Sequence, residues 1–157
     1  MTTRVRIREK DNGLKRAQQL SKQPRMAIRI GVLEADAARP HPTRPGRTVG
    51  DVAVWMEYGT NDGHVPARSW LFGWLDEEID VIAQQLGADT FRVIFGGENE
   101  WLALSKRASV YRQQIEDRIR FADVFDRNED ATVRKKGFDL PLIDTETFIE
   151  SIRWEVK

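Results

Sequence analysis

Two long stretches of the chain place apolar residues three or four positions apart, the spacing of one helical face. The first comprises Leu71, Leu75, Ile79, Ile82 and Leu86, with Trp70 and Trp74 beside it. The second comprises Trp101, Leu104, Ala108, Tyr111, Ile115, Ile119 and Ala122. We predict two long helices separated by Gly96-Gly97, with Gly87 as a candidate break and residues 91–95 either helical or extended. The second helix should pack on the first or on a neighbouring subunit, and both tryptophans favour core positions.

Strand patterns lie towards the two ends of the chain. Met26–Leu33 is rich in β-branched residues, and Ile152–Val156 alternates apolar and polar positions. Val5 and Ile7 alternate with arginines, which predicts a further short strand, and residues 14–20 predict a short helix. We expect Ile152–Val156 to pair with Met26–Leu33. The predicted fold is α+β: a small antiparallel sheet from the chain ends with two long central helices packed on one face.

A Pro/Arg-rich stretch follows the first of these strands. Pro40, Pro42 and Pro45 are interleaved with basic residues. Proline lacks the N–H that helices and sheets require and disfavours helix in the residue before it. We predict an exposed, extended loop at about 35–50, which is either simply solvated or a contact in an assembly.

Between this loop and the first long helix, the sequence predicts a corner. Residues 51–58 form a short amphipathic helix, and Gly59 follows where a helix end favours positive φ. Residues 61–63, Asn-Asp-Gly, are typical of a turn, Pro66 fixes φ, and Ser69 can cap the next helix. For Glu57 we weigh a general acid against a structural role. The structural role is favoured, in which Glu57 and Arg68 pair or bind loop backbone.

Composition limits the function classes. The 157 residues suit a single domain, residues 1–157, and Lys+Arg equals Asp+Glu at 25 each, so no overall field attracts nucleic acid or an anionic membrane. The absence of cysteine excludes thiol chemistry and zinc–thiolate sites. The first ten residues do not resemble a signal peptide, and no apolar run is long enough to span a membrane.

Candidate catalytic groups do not converge in the sequence. His41 and His64 lie in separate loops without metal-ligand spacing, and Ser69, His64 and Asp62 lack a nucleophile-elbow motif. Acidic clusters allow an alternative, a small metal-dependent nuclease using Mg²⁺. Its candidate ligands are Glu98 and Glu100, or Asp126, Glu129 and Asp130. We otherwise expect no catalytic residues, no metal and no cofactor.

Two motifs carry a resemblance to a known family. The corner reads Glu57-Tyr-Gly-Thr, a short loop, then Val65-Pro-Ala-Arg-Ser-Trp-Leu71, and residues 142–152 read Leu-Ile-Asp-Thr-Glu-Thr-Phe-Ile-Glu-Ser-Ile. In this order they resemble the neck or tail-component family of tailed bacteriophages, which includes head–tail joining and tail-completion proteins. Ser69 stands where that family usually has Pro, and Glu146 where it usually has Gly. The motifs cover only part of the chain.

The resemblance implies a structural virion protein, made in the bacterial host cytoplasm and placed in the neck or tail region. Its partners would be copies of itself in a ring and neighbouring connector, head-closure or tail proteins, with at most weak, non-specific contact to genomic DNA and none to membrane. A host-directed adaptor outside the virion is a third reading. The predicted structural corner is Glu57, Tyr58, Gly59, Pro66 and Arg68. The predicted assembly contacts are Arg39, Arg44, Arg47, Asn61 and His64.

Overall fold

The computed structural model describes residues 12–121, 125, 128, 130, 133–134, 137 and 146–157. Its elements are α1 (Asn12–Leu20), β1 (Ile28–Val32), α2 (Glu34–Ala37), α3 (Val49–Tyr58), α4 (Phe72–Phe95), α5 (Glu100–Phe121), α6 (Thr147–Glu150) and β2 (Ile152–Val156). The predicted strand at Val5 and Ile7 lies outside the described residues. So do Asp144 and Thr145, which the motif at residues 142–152 includes.

The two strands form an antiparallel sheet, which confirms the predicted pairing of distant segments. Ile28 lies opposite Val156 and Val32 opposite Ile152. Ala27 and Lys157 extend the ladder by exchanging backbone hydrogen bonds of 2.7 and 3.1 Å. Helix α5 packs on this sheet. The α+β arrangement of a small sheet from the chain ends with long packed helices is therefore observed.

Both predicted core tryptophans are buried, Trp70 against α3 and α6 and Trp74 against α5. The Trp70 ring stands edge-on to Phe148, with centroids 4.9 Å apart, and its Nε1 donates to the Ala53 carbonyl at 3.3 Å. Trp74 packs against Tyr111 of α5 at 5.5 Å. Burying such large rings removes roughly 150–250 Å² of surface each from water, so this cluster fixes how the helices meet.

Helix α4 runs unbroken through Gly87 to Phe95, so the candidate break does not occur. Its buried face also differs from the predicted stripe, because Ile79 is 51% exposed whereas Asp89 is buried. Arg107 of α5 explains the burial of a carboxylate, since its Nε and Nη2 donate to Asp89 at 2.8 and 3.1 Å. Trp101, predicted to begin the α5 seam, is likewise exposed. Most positions of both stripes nevertheless face the core as predicted. Ile82, Ala108, Tyr111, Ile115 and Ile119 are buried, and Leu71, Leu75 and Leu86 pack against the core.

The predicted loop at about 35–50 is shorter and more ordered than expected. Helix α2 occupies its beginning, and α3 starts at Val49, which is fully buried. Between them an antiparallel bridge joins Pro40 to Thr48. This bridge therefore holds the two ends of the loop together. Most side chains between them are exposed, as predicted.

Candidate functional site

The corner between α3 and α4 is organised around the Glu57 carboxylate, which is buried. It accepts hydrogen bonds from the Ser69 hydroxyl at 2.5 Å and from the backbone N–H groups of Leu71 and Phe72 at 3.0 and 3.2 Å. Ser69 Oγ in turn accepts from the Gly73 N–H at 2.9 Å. The first N–H groups of a helix have no intrahelical partner and carry partial positive charge. Glu57 and Ser69 together therefore cap α4.

Binding to backbone, one of the structural roles predicted for Glu57, is observed. Ser69 contributes to the cap as predicted, although the helix itself begins three residues later, at Phe72. The catalytic set of Ser69, His64 and Asp62 is not assembled: the Ser69 hydroxyl donates to Glu57, and Asp62 accepts from the His64 backbone N–H at 3.1 Å. The arrangement supports a structural corner rather than a nucleophile.

Gly59 allows the chain to turn back sharply after α3. Its φ of 76° lies in the region that favours glycine, as predicted, although its ψ of 180° is not that of a left-handed helix. A Cβ at Gly59 would lie 2.9 Å from both the Ala67 nitrogen and the Val65 carbonyl oxygen. The returning segment of the loop, residues 65–67, therefore passes too close for any other residue.

The loop beyond Gly59 is closed by its own polar groups. The Thr60 N–H donates to the Val65 carbonyl at 2.9 Å, and the Val65 N–H donates to Thr60 Oγ1 at 3.0 Å. Asp62 accepts from the Thr60 hydroxyl at 2.6 Å, which lowers the pKa of Asp62 together with the His64 N–H. The predicted contact residues Asn61 and His64 are both exposed at the tip of this turn.

The remaining predicted corner residues occupy three different environments. Arg68 is buried, and its backbone N–H donates to the Met56 carbonyl at 2.7 Å, which ties the loop to α3. Pro66 is exposed on the returning segment of the loop. The Tyr58 ring lies on the surface, 6.3 Å from the ring of Phe72. Glu57, Gly59 and the Arg68 backbone thus form the corner, and Tyr58 faces outward from it.

The Pro/Arg-rich loop is fastened to the start of α3. Thr48 and Asp51 form a capping box, with hydrogen bonds of 2.9 and 3.1 Å, and the backbone hydrogen bond from Thr48 is the main reason why the pKa of Asp51 is lowered. The Arg47 guanidinium lies 5.0 Å from the centre of the Trp55 ring, and Arg39 pairs with Asp36 at 3.1 Å. Arg44 is half-buried. Two of the predicted contact arginines, Arg39 and Arg47, are therefore held by neighbouring side chains.

The loop and the Asn61–His64 turn lie at opposite ends of α3. The helix has 10 residues, and at 1.5 Å per residue its ends are about 15 Å apart. The two predicted contact surfaces therefore flank one short helix, rather than forming a single patch.

The acidic residues considered for a nuclease site are placed as follows. Glu98 accepts from Arg92 at 3.2 Å and from Lys106 at 3.4 Å. Glu100 begins α5, and Asp130 is exposed. Asp126 and Glu129 lie outside the described residues. Within the part of the chain that the structure describes, no three His, Asp or Glu side chains are grouped to hold a metal ion.

Sequence reasoning missed the ion pairs that join distant elements. Arg118 of α5 pairs with Glu77 of α4, and Arg120 binds both carboxylate oxygens of Glu146, at 3.0 and 2.5 Å. Their charges are visible in the sequence, but the partners are 41 and 26 positions apart. Only the packing of the helices identifies them.

Comparison of the chain with protein-family models, curated proteins and solved structures found no match. None of the described helices is long and apolar enough to cross a membrane.

Proposed function

We propose that this protein is a structural component of a bacteriophage particle, in the neck or tail region, where copies form a ring that joins or completes the head–tail interface. The observation that carries the proposal is the corner. The motif that resembles the phage neck family supplies its central parts: the Glu57 cap, the close approach at Gly59 and the returning segment 65–71.

A structural role explains why these residue types occur together. Glu57 is buried against the N-terminus of α4, a position where an anion stabilises the helix. Position 59 requires glycine because its φ is positive and because the returning segment passes close to it. A motif that holds two helices at a fixed angle suits a protein whose role is to present fixed surfaces to its neighbours. The exposed turn and the Pro/Arg-rich loop on either side of α3 supply surfaces for neighbours.

We propose a ring because surfaces of this kind can bind one copy of the protein to the next. Ring interfaces are heterologous, because a patch on one copy meets a different patch on the next, and they close by rotation. Some large exposed apolar side chains lie next to one another, Tyr58 with Phe72 and Phe91 with Phe95, and contiguous exposed apolar patches mark binding surfaces. The ring is proposed to bind connector, head-closure or tail proteins through its two ends.

The test is electron microscopy of lysates from a phage that carries a stop codon in this gene, with purified protein added back to one portion. We expect unjoined heads or tails to accumulate, and infectious particles to return on addition. Normal, infectious particles without the protein would overturn the proposal.

The same add-back assay tests the predicted contacts. Arg44→Ala/Arg47→Ala should impair joining while the circular dichroism spectrum stays unchanged. The matched control is Arg29→Ala/Arg134→Ala, which removes two exposed arginines elsewhere and should restore joining. Loss of folding in the first variant would assign the loop a structural role instead.

A further inference from the structure

Two pairs of aromatic rings are exposed at opposite ends of α4. The corner patch, Tyr58 and Phe72, has rings 6.3 Å apart, and the hairpin patch, Phe91 and Phe95, has rings 4.7 Å apart. Their residues are 66%, 47%, 62% and 60% exposed. Exposed clusters of large apolar side chains mark interaction surfaces. Phe72 and Phe91 are 19 positions apart, about 28 Å along the helix, so these are two separate surfaces.

The corner patch lies in acidic surroundings. The charged residues in the first nine positions of α4 are all acidic, namely Asp76, Glu77, Glu78 and Asp80. Of these, Glu77 is paired with Arg118. Asp76 and Asp80 are exposed and make no ion pair among the described residues.

The hairpin patch lies in basic surroundings. Helix α1 packs beside the end of α4, where a Cβ on Gly13 would overlap the Phe95 ring, and Arg16 Nη2 donates to the Glu98 carbonyl at 2.7 Å. Every charged residue of α1 and of the turn after it, from position 12 to 22, is basic: Lys15, Arg16 and Lys22. Two acids lie near this end of α4, and both are paired. Asp89 is buried and pairs with Arg92 and Arg107, and Glu98 is half-buried and pairs with Arg92 and Lys106.

We propose that the corner patch of one copy of this protein binds the hairpin patch of the next copy, which rests on the ring proposed above. Aromatic rings then meet aromatic rings, and Asp76 and Asp80 face the basic surface of α1. Contact of either patch with its own equivalent would bring like charges together, which is unfavourable. Because the two patches differ, the contact is heterologous and repeats from copy to copy, which gives a ring when the rotation between copies closes.

The test uses two variants, each with one patch removed: Tyr58→Ser/Phe72→Ser and Phe91→Ser/Phe95→Ser. In sedimentation velocity, the wild-type protein should form larger species as its concentration rises, and each variant alone should be monomeric. An equimolar mixture should form a 1:1 dimer and nothing larger, because each variant keeps the surface that the other needs. The control Val110→Ser/Phe121→Ser removes two exposed apolar residues of α5 and should assemble as the wild type does.

Charge variants test the same contact if an aromatic variant fails to fold. Asp76→Lys/Asp80→Lys and Lys15→Glu/Lys22→Glu should each be monomeric alone and associate when mixed, more weakly at high salt. Three results would overturn the head-to-tail contact. The wild-type protein could stay monomeric at every concentration, Phe91→Ser/Phe95→Ser could assemble with itself, or both mixtures could lack a dimer. A monomeric wild type would assign the patches to a different protein.

Failure of this contact is distinguishable from failure of the neck role. If Phe91→Ser/Phe95→Ser restores infectivity to the stop-codon phage as well as the wild type does, the neck role stands and the contact is wrong. If the mixture dimerises but phage without the protein are normal, the contact stands and the neck role is wrong.

Discussion

The Glu57 carboxylate at the end of α3 accepts a hydrogen bond from the backbone N–H of Leu71 at 3.0 Å, so α3 supplies a cap for α4. Most helix caps come from the residue immediately before the helix. Here the cap comes from 14 positions earlier, so α4 begins correctly only when α3 is in place. The angle between the helices is thereby coupled to the stability of both.

Removing this carboxylate should destabilise the fold. Glu57→Ala leaves the N–H groups of Leu71 and Phe72 without their acceptor in a partly buried site, which costs about 2–3 kcal/mol of unfolding free energy. Glu57→Gln retains one acceptor and should cost about 1 kcal/mol. Urea unfolding monitored by tryptophan fluorescence measures both. The control Asp80→Ala, on the exposed surface of α4, should change stability by less than about 0.5 kcal/mol. Equal effects of Glu57→Ala and the control would contradict the capping role.

Three glycines should respond differently to alanine. Gly59→Ala meets both a positive φ and backbone atoms at 2.9 Å, and we expect a loss of about 3 kcal/mol or more. Gly63→Ala has a φ of 73° but open space, so about 1–2 kcal/mol is lost. Gly87→Ala lies in an open position within α4 and should stabilise by about 0.5–1 kcal/mol. Urea midpoints in any other order would contradict these assignments.

Much of this fold could be predicted because its signals are local. The β-branched run around Ile30 and the alternation at residues 152–156 identify the strands, and glycine after Tyr58 identifies the corner. What could not be predicted depends on partners distant in sequence. Asp89 is buried because Arg107 lies opposite, whereas Ile79, part of the predicted apolar stripe, is exposed. In the corner, the sequence indicated that Glu57 binds backbone groups. It could not indicate that Leu71 and Phe72 are the donors, because that depends on the angle between the two helices.

The capping box of α3 predicts a specific pH dependence. Hydrogen bonds from Thr48 hold the pKa of Asp51 below its ordinary value of 3.8 in the folded state. A carboxyl whose folded pKa is lowered stabilises the fold above its unfolded pKa, and this contribution is lost as pH falls through the folded pKa. Asp51→Asn should therefore lower the urea midpoint at pH 7, and the difference from wild type should shrink below about pH 4. Asp80→Asn, the exposed control, should show no such convergence. A difference that is constant with pH would contradict the role of the charge.

Glu146 connects the resemblance to a measurable strain. Among the described residues it is the one non-glycine with positive φ, 60°, and it stands where the phage neck family usually has glycine. A left-handed conformation costs a non-glycine residue about 1–2 kcal/mol. Arg120 offsets part of this through its two hydrogen bonds, but an exposed ion pair contributes at most about 1 kcal/mol.

Two substitutions at this position separate the strain from the ion pair. Glu146→Ala loses the pair and keeps the backbone conformation, so it should destabilise by up to about 1 kcal/mol. Glu146→Gly loses the same pair but relieves the strain, and should be more stable than the alanine variant by about 1 kcal/mol. Urea unfolding compares the two directly, and Arg120→Ala, which removes the pair alone, should match Glu146→Ala. If glycine is no better than alanine, position 146 does not require the conformation that glycine supplies, and this part of the resemblance to the neck family loses its physical basis.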